Sequence, residues 1–174
     1  LDIKPASFGS VISIAKDNSY FAVGCQDIKT VFVYQFDGQV STLVASLTYP
    51  SGYSGSNFGC SVSIQRNYLA IGDSSMVSNG NITGGVFVFE NMSGIWTFKE
   101  TVDVFNNSGI YNSENIKDFS PVPTTLETGA LMGASVSIND VGGLLYGSPG
   151  TTPDSLGENP LSGAGAAWIK YLNS

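Results

Sequence analysis

Phe58-Gly59-Cys60-Ser61-Val62-Ser63-Ile64, then Tyr68-Leu69-Ala70-Ile71-Gly72, then Gly84-Gly85-Val86-Phe87-Val88-Phe89 is the stretch that decides the fold. Phe58, Cys60, Val62 and Ile64 share one parity, and Gly59, Ser61 and Ser63 the other. This alternation predicts a strand with one face in a core. Tyr68–Ile71 is a continuous apolar run closed by Gly72, as expected of a strand buried on both faces. Val86–Phe89 is aromatic and β-branched, a third strand. Asn91-Met92-Ser93-Gly94 reads as a turn, and Ile95–Val104 as a fourth strand.

Working outward, the pattern occurs twice more. The earlier copy is Phe8-Gly9-Ser10-Val11-Ile12-Ser13-Ile14, Tyr20-Phe21-Ala22-Val23-Gly24 and Thr30-Val31-Phe32-Val33-Tyr34, with Asp37-Gly38 as a hairpin turn before Val40–Tyr49. The later copy is Met132-Gly133-Ala134-Ser135-Val136-Ser137-Ile138, Leu144-Leu145-Tyr146-Gly147 and Gly165-Ala166-Ala167-Trp168-Ile169. The second position is always small (Ser10, Cys60, Ala134), as where sheets approach closely. No segment has a helical period, so the expected fold is all-β: about three β-propeller-type repeats of four antiparallel strands.

Spacing sets the boundaries. Phe8 to Phe58 is 50 residues, while Phe58 to Met132 is 74, an excess of 24. The excess falls in a stretch rich in Asn, Ser, Thr and Pro that includes Pro121 and Pro123, an inserted surface loop. The expected organisation is a first repeat over about 8–50, a second over about 57–105, a loop over about 106–131 and a third over about 132–174. Aligning Trp168 with Phe87 and Phe32 puts Asn173-Ser174 at the turn before a fourth strand, so the last repeat is expected to lack its outer strand. Three repeats are too few for a closed ring, which predicts completion by further sequence or by another chain. The chain starts at Leu1, without Met or an apolar leader, as a processed or excerpted piece would.

Composition narrows the function. Charged residues make up 12% of the chain, against about 25% in typical soluble domains. The net charge of −7 argues against binding the phosphate backbone of nucleic acid. No apolar run approaches the roughly 20 residues of a membrane span. With no His, neither a Ser-His-Asp nor a Cys-His site can form. The 14 Asp and Glu recur at no fixed place in the repeat, and the glycines form no phosphate loop. No catalytic, cofactor-binding or metal-ligating residue is assigned, and the expectation is a non-enzyme.

Asn81, Asn91 and Asn106 each begin a glycosylation acceptor triplet in a segment read as loop or turn. With the low charge, that favours a secreted or cell-surface protein. Cys25 and Cys60 are a candidate disulfide between repeats, with a small buried Cys60 as the alternative. Trp96, Trp168 and Tyr111 are aromatic enough to stack on sugar rings. Trp168 occupies a core-strand position, which leaves Tyr111, in the long loop, as the freest contact residue.

The ordered motifs resemble FG-GAP repeats, the units of integrin α-subunit propellers and of many surface proteins. The Phe-Gly half stands at Phe8-Gly9 and Phe58-Gly59, with Met132-Gly133 in the third copy. The Gly-Ala-Pro half is best kept in Gly147-Ser148-Pro149 and degrades to Gly24-Cys25-Gln26 and Gly72-Asp73-Ser74. The resemblance implies an extracellular propeller module for protein–protein interaction, adhesion or assembly, with protein partners or further repeats. Carbohydrate binding by a lectin-type propeller, and service as an accessory segment of a surface enzyme, are the alternatives. Many integrin-type repeats also hold calcium between the first two strands. Here those links are Ala15–Ser19, Gln65-Arg66-Asn67 and Asn139–Gly143, and none has the alternating Asp and Asn of a calcium loop, so calcium is not carried over.

Overall fold

Three antiparallel sheets follow one another along the chain in a computed structural model that describes residues 7–103, 128–150 and 165–172. The first sheet is a meander of β1 (Val11–Ile14), β2 (Tyr20–Cys25), β3 (Thr30–Phe36) and β4 (Ser41–Leu47), with a short 3-10 turn at Gln26–Ile28. The second contains β5 (Ser61–Ile64), β6 (Tyr68–Asp73), β9 (Gly85–Met92) and β10 (Ile95–Val102). A small hairpin, β7 (Val77–Ser78) and β8 (Asn81–Ile82), leaves it between β6 and β9. The third sheet shows β11 (Ser135–Ile138), β12 (Gly143–Ser148) and β13 (Ala166–Tyr171). Among the described residues there is no α-helix.

The second sheet lies between the other two, and its strands alternate accordingly. Leu69, Ile71, Phe87 and Phe89 enter a core shared with Tyr20, Ala22, Val31 and Val33 of the first sheet. Tyr68, Ala70, Val86 and Val88 enter a second core with Ile138, Leu144, Tyr146 and Trp168 of the third. All six residues of β6 are buried, as its unbroken apolar run requires. The outer strands of the first two sheets also share a bulge. The register slips between Val33 and Tyr34 opposite β4, and between Phe98 and Glu100 opposite β9, leaving Val44 and Lys99 as the extra residues.

The Phe-Gly signature is a turn rather than the start of a strand. Cys60 donates its N–H to the Asn57 carbonyl at 2.9 Å, and Gly59 has φ +83°. These mark a type II turn with Phe58 and Gly59 at its centre, where positive φ calls for glycine. Ser10→Ser7 and Ala134→Leu131 close the same turn around Gly9 (φ +87°) and Gly133 (φ +81°). The expected strand from Phe58 therefore begins only at Ser61. The alternation misled because the turn's aromatic is itself fully buried, between Tyr49 and Phe87.

The Asp37-Gly38 turn is present, with Asp37 accepting the Gln39 and Val40 N–H groups, so β4 starts at Ser41 rather than Val40. At the far end of the predicted inserted loop, residues 128–131 run beside β8: Gly129 donates to the Ile82 carbonyl, and Ala130 is buried. Residues 106–127 of that loop lie outside the described residues.

Candidate interaction surfaces

The repeated polar and glycine positions build the joints between sheets. Ser13 of the first sheet accepts the Ile64 N–H of the second at 3.1 Å, and the equivalent Ser63 accepts the Ile138 N–H of the third at 3.0 Å. The second-strand glycines supply close approach. A Cβ on Gly24 would stand 2.8 Å from the Gly59 carbonyl oxygen, and one on Gly72 would collide with the Gly133 carbonyl. Each turn glycine also ties into its own sheet: Gly9 donates to Gly24 O, Gly59 to Gly72 O and Gly133 to Gly147 O, at 3.1, 3.0 and 2.9 Å. Ser61 Oγ completes the second joint by donating to Gly133 O at 2.7 Å. The same backbone grammar is thus used at both joints.

That grammar runs out at the two ends of the stack. On the first sheet the face turned away from the second carries Phe8, Ile12, Ile14, Phe21, Phe32 and Tyr34, all exposed or half-exposed. Their counterparts Phe58, Val62, Ile64, Leu69, Phe87 and Phe89 are all buried. Ile12 and Ile14 are 73% and 58% exposed where Val62 and Ile64 are 8% and 0%. On the third sheet the outward face carries Ser135, Ser137, Leu145, Gly147, Ala167 and Ile169. Leu145 and Ile169 are 45% and 43% exposed where Ala70 and Val88 are fully buried. Five of these residues line a shallow groove of about 160 Å³ on that face. Uncovered apolar rows of this kind mark contact surfaces.

A polar clasp fastens the first sheet's exit to the second. Asp73, fully buried, accepts the Tyr49 hydroxyl, the Ser75 N–H at 2.8 Å and hydroxyl at 2.9 Å, and the Asn57 N–H at 3.2 Å. A side chain at Gly55 would run into the same carboxylate. Burial, then the Asp73 carboxylate, pushes Tyr49's ionisation above its ordinary 10.0. A folded-state value above the unfolded one contributes stability that is complete below the unfolded value and lost as pH rises above it. The expected result is that stability falls as pH climbs past 10, and that Tyr49→Phe falls more shallowly. The variant starts about 1–2 kcal/mol lower at neutral pH, because a buried carboxylate loses a donor. Denaturant titrations across the alkaline range check this, and equal slopes for both proteins would refute it.

The first-to-second-strand turns gather at one end of the sheets. Lys16, Asp17, Arg66, Asn67 and Asp140 line an open cleft there of about 390 Å³. Asp17 accepts the Ser19 hydroxyl at 2.5 Å and N–H at 3.0 Å. These bonds, with the Arg66 charge beyond them, hold its carboxyl below the ordinary range. Asn139 Oδ1 accepts the Gly143 and Val141 N–H groups at 2.7 and 3.1 Å. These side chains close their own turns, and the cleft mixes two cations with two carboxylates and holds no nucleophile–base pair. Among the described residues no three His, Cys, Asp or Glu side chains gather to hold a metal ion.

Cys25 and Cys60 are both free thiols. In this structure the two side chains meet different partners. Cys25 Sγ meets Ser7 Oγ at 3.6 Å, whereas Cys60 Sγ is directed at Gly133 O, 3.5 Å away across the next joint. Burial raises the Cys60 thiol's ionisation. Trp96 is buried edge-on against Tyr20, with ring centroids 5.5 Å apart, and Trp168 is buried in the second core. Neither offers a sugar platform.

Asn81 lies in β8, not in a loop, with its side chain facing Thr128. Asn91 is the penultimate residue of β9, just ahead of a two-residue turn in which Ser93 and Gly94 both have positive φ. Its amide donates to the Arg66 carbonyl at 3.1 Å, and its oxygen accepts the Gly94 N–H at 2.8 Å. Asn106 and Tyr111 lie outside the described residues.

With this geometry in view, the family model described as FG-GAP repeat matches residues 41–89, from β4 through β9. The motif read at Phe58-Gly59 and Gly72-Asp73-Ser74 falls within that match. No curated protein matches the chain. Among the described residues no helix is long and apolar enough to cross a membrane.

Proposed function

We propose that the chain is a non-enzymatic, β-propeller-like module for protein–protein interaction, adhesion or assembly outside the cell. One observation carries the reading: the apolar rows that the middle sheet buries on both faces are left uncovered at the two ends of the stack. The FG-GAP match supports it, since repeats of that family are generally non-catalytic and typically mediate protein contacts. The repeated polar residues, Ser13, Ser63 and Ser61, are spent on joints between sheets rather than gathered at a reactive point. Both tryptophans are buried, so no specific observation favours the carbohydrate-binding alternative.

The test places a photo-crosslinking residue at Leu43, on the exposed edge of the first sheet, or at Tyr171 on the third. The protein is then irradiated in its native extracellular setting and also offered to a glycan array. Protein adducts at either position, without glycan signal, are the expected outcome. Glycan signal with no protein adduct would overturn the reading. Secreted material should also lose mass on enzymatic removal of N-glycans, with Asn81 and Asn91 as the described acceptors. Unchanged mass would count against the glycoprotein assignment.

A further inference from the structure

The two described acceptor triplets differ in what the fold does with them. At Asn81-Ile82-Thr83, strand β8 has a neighbour on each edge: β7 pairs with it, and Gly129 donates to the Ile82 carbonyl at 2.8 Å. Thr83, whose hydroxyl completes the triplet, is fully buried and donates that hydroxyl to the Gly84 carbonyl at 3.1 Å. Its N–H is held by the Met76 carbonyl. Once this hairpin has closed, the triplet offers an enzyme neither an open strand nor a hydroxyl. The Asn91-Met92-Ser93 triplet stays open in the folded protein, because Met92, Ser93, Gly94 and Ile95 at the tip between β9 and β10 are all exposed. Asn91 Oδ1 accepts the Gly94 N–H, and Nδ2 gives one hydrogen to the Arg66 carbonyl. A second hydrogen remains on Nδ2.

We infer that Asn91 carries an N-linked oligosaccharide while Asn81 stays bare, and that the glycan shields one end of the sheets. The inference rests on the extracellular reading and narrows its two described acceptors to one. The donor is a lipid-linked diphospho-oligosaccharide. The bond from the sugar's anomeric carbon to a diphosphate oxygen breaks, and a bond from that carbon to Asn91 Nδ2 forms. The diphosphate leaves with the electron pair, and the displaced amide hydrogen leaves as a proton. The hydrogen that stays on Nδ2 keeps the Arg66 bond, and Oδ1 keeps the Gly94 bond, so the transfer does not remodel the tip. Asn91 stands opposite Trp96 in the β9–β10 register and shares its face, where Trp96 packs against Tyr20 of the first sheet. The root of the glycan is therefore at the turn end of the first joint, beside Arg66 and Asn67 of the open cleft. A bulky, hydrated oligosaccharide there denies that end to a protein partner.

Site mapping on protein recovered from its extracellular setting tests this. Enzymatic release of N-glycans in heavy-oxygen water turns an occupied Asn into a labelled Asp, which peptide mass spectrometry locates. The expected result is label at Asn91 and none at Asn81. Label at Asn81, or an unlabelled Asn91, overturns the inference. Ser93→Asn, secreted from the same cells, destroys the triplet but keeps a residue that accepts positive φ, and it keeps the Asn91 side chain with both its hydrogen bonds. It is expected to lose the label at Asn91, and a label retained there would count against the assignment. A photo-crosslinking residue at Lys16, on the shielded end, is expected to give no protein adduct in the glycosylated protein, and an adduct there would refute the shielding. Crosslinking at Leu43 and Tyr171 reads protein contacts independently, so an unlabelled Asn91 leaves the interaction reading standing.

Discussion

Gly72→Ala is expected to lower stability by about 3 kcal/mol, while the same change at the equivalent Gly147 moves it by no more than about 0.5 kcal/mol. The two glycines occupy one position of the repeat and differ only in what stands opposite. A Cβ at Gly72 meets the backbone carbonyl of Gly133, which is pinned by its own turn and by Ser61, so nothing soft can give. A Cβ 2.0 Å from that oxygen would force the second and third sheets apart by about an ångström, which strains the core around Ile138 and Leu144 and loosens the Ser61 hydrogen bond. At Gly147 the nearest atom is Ser135 Oγ, 2.4 Å from the Cβ position, the end of an exposed side chain that can rotate away. Urea unfolding of both variants in dilute solution checks the two values. Equal losses would mean that the close approach of sheets does not explain the repeated glycine.

Much of this architecture was legible because burial leaves a direct trace in composition. β6 is buried on both faces, and its Tyr68–Ile71 stretch is accordingly an unbroken apolar run. The small residue after each Phe-Gly, and the serines alternating after it, follow from sheets close enough for a serine to reach the next backbone. Three features were hidden for different physical reasons. The type II turn hides because its central Phe58 is as buried as a strand residue, and the alternation continues through it. The β7–β8 hairpin turns at Asn79-Gly80, with both φ positive, a strong short hairpin signal that has no alternating strands beside it. Its strands are two residues each, too short to show a period. The Asp73 clasp is illegible because its donors Tyr49, Asn57 and Ser75 come from three separate turns. Nor could periodicity say which apolar faces are covered: Ile12 and Ile14 are the same kinds of residue as Val62 and Ile64, and only the neighbour differs.

That difference of neighbour is measurable at the third-strand aromatic. Phe87→Ala is expected to cost about 4 kcal/mol, and Phe32→Ala about 1 kcal/mol. Phe87 is fully buried and meets Tyr49, Tyr53 and Phe58 at centroid distances of 5.8, 5.3 and 5.3 Å. Removing it leaves a cavity whose walls belong to two sheets and to the segment between them. Those walls cannot collapse together without breaking the joint that Ser13 and Ile64 make. Phe32 holds the same place one repeat earlier but faces outward, with one ring contact among the described residues, to Phe8 at 5.7 Å, and its loss opens no cavity. The two costs converge only if something covers the first sheet. Thermal unfolding of both variants in dilute solution measures the two costs. A Phe32→Ala penalty as large as that of Phe87→Ala in dilute solution would show that the outer face is already covered within the single chain.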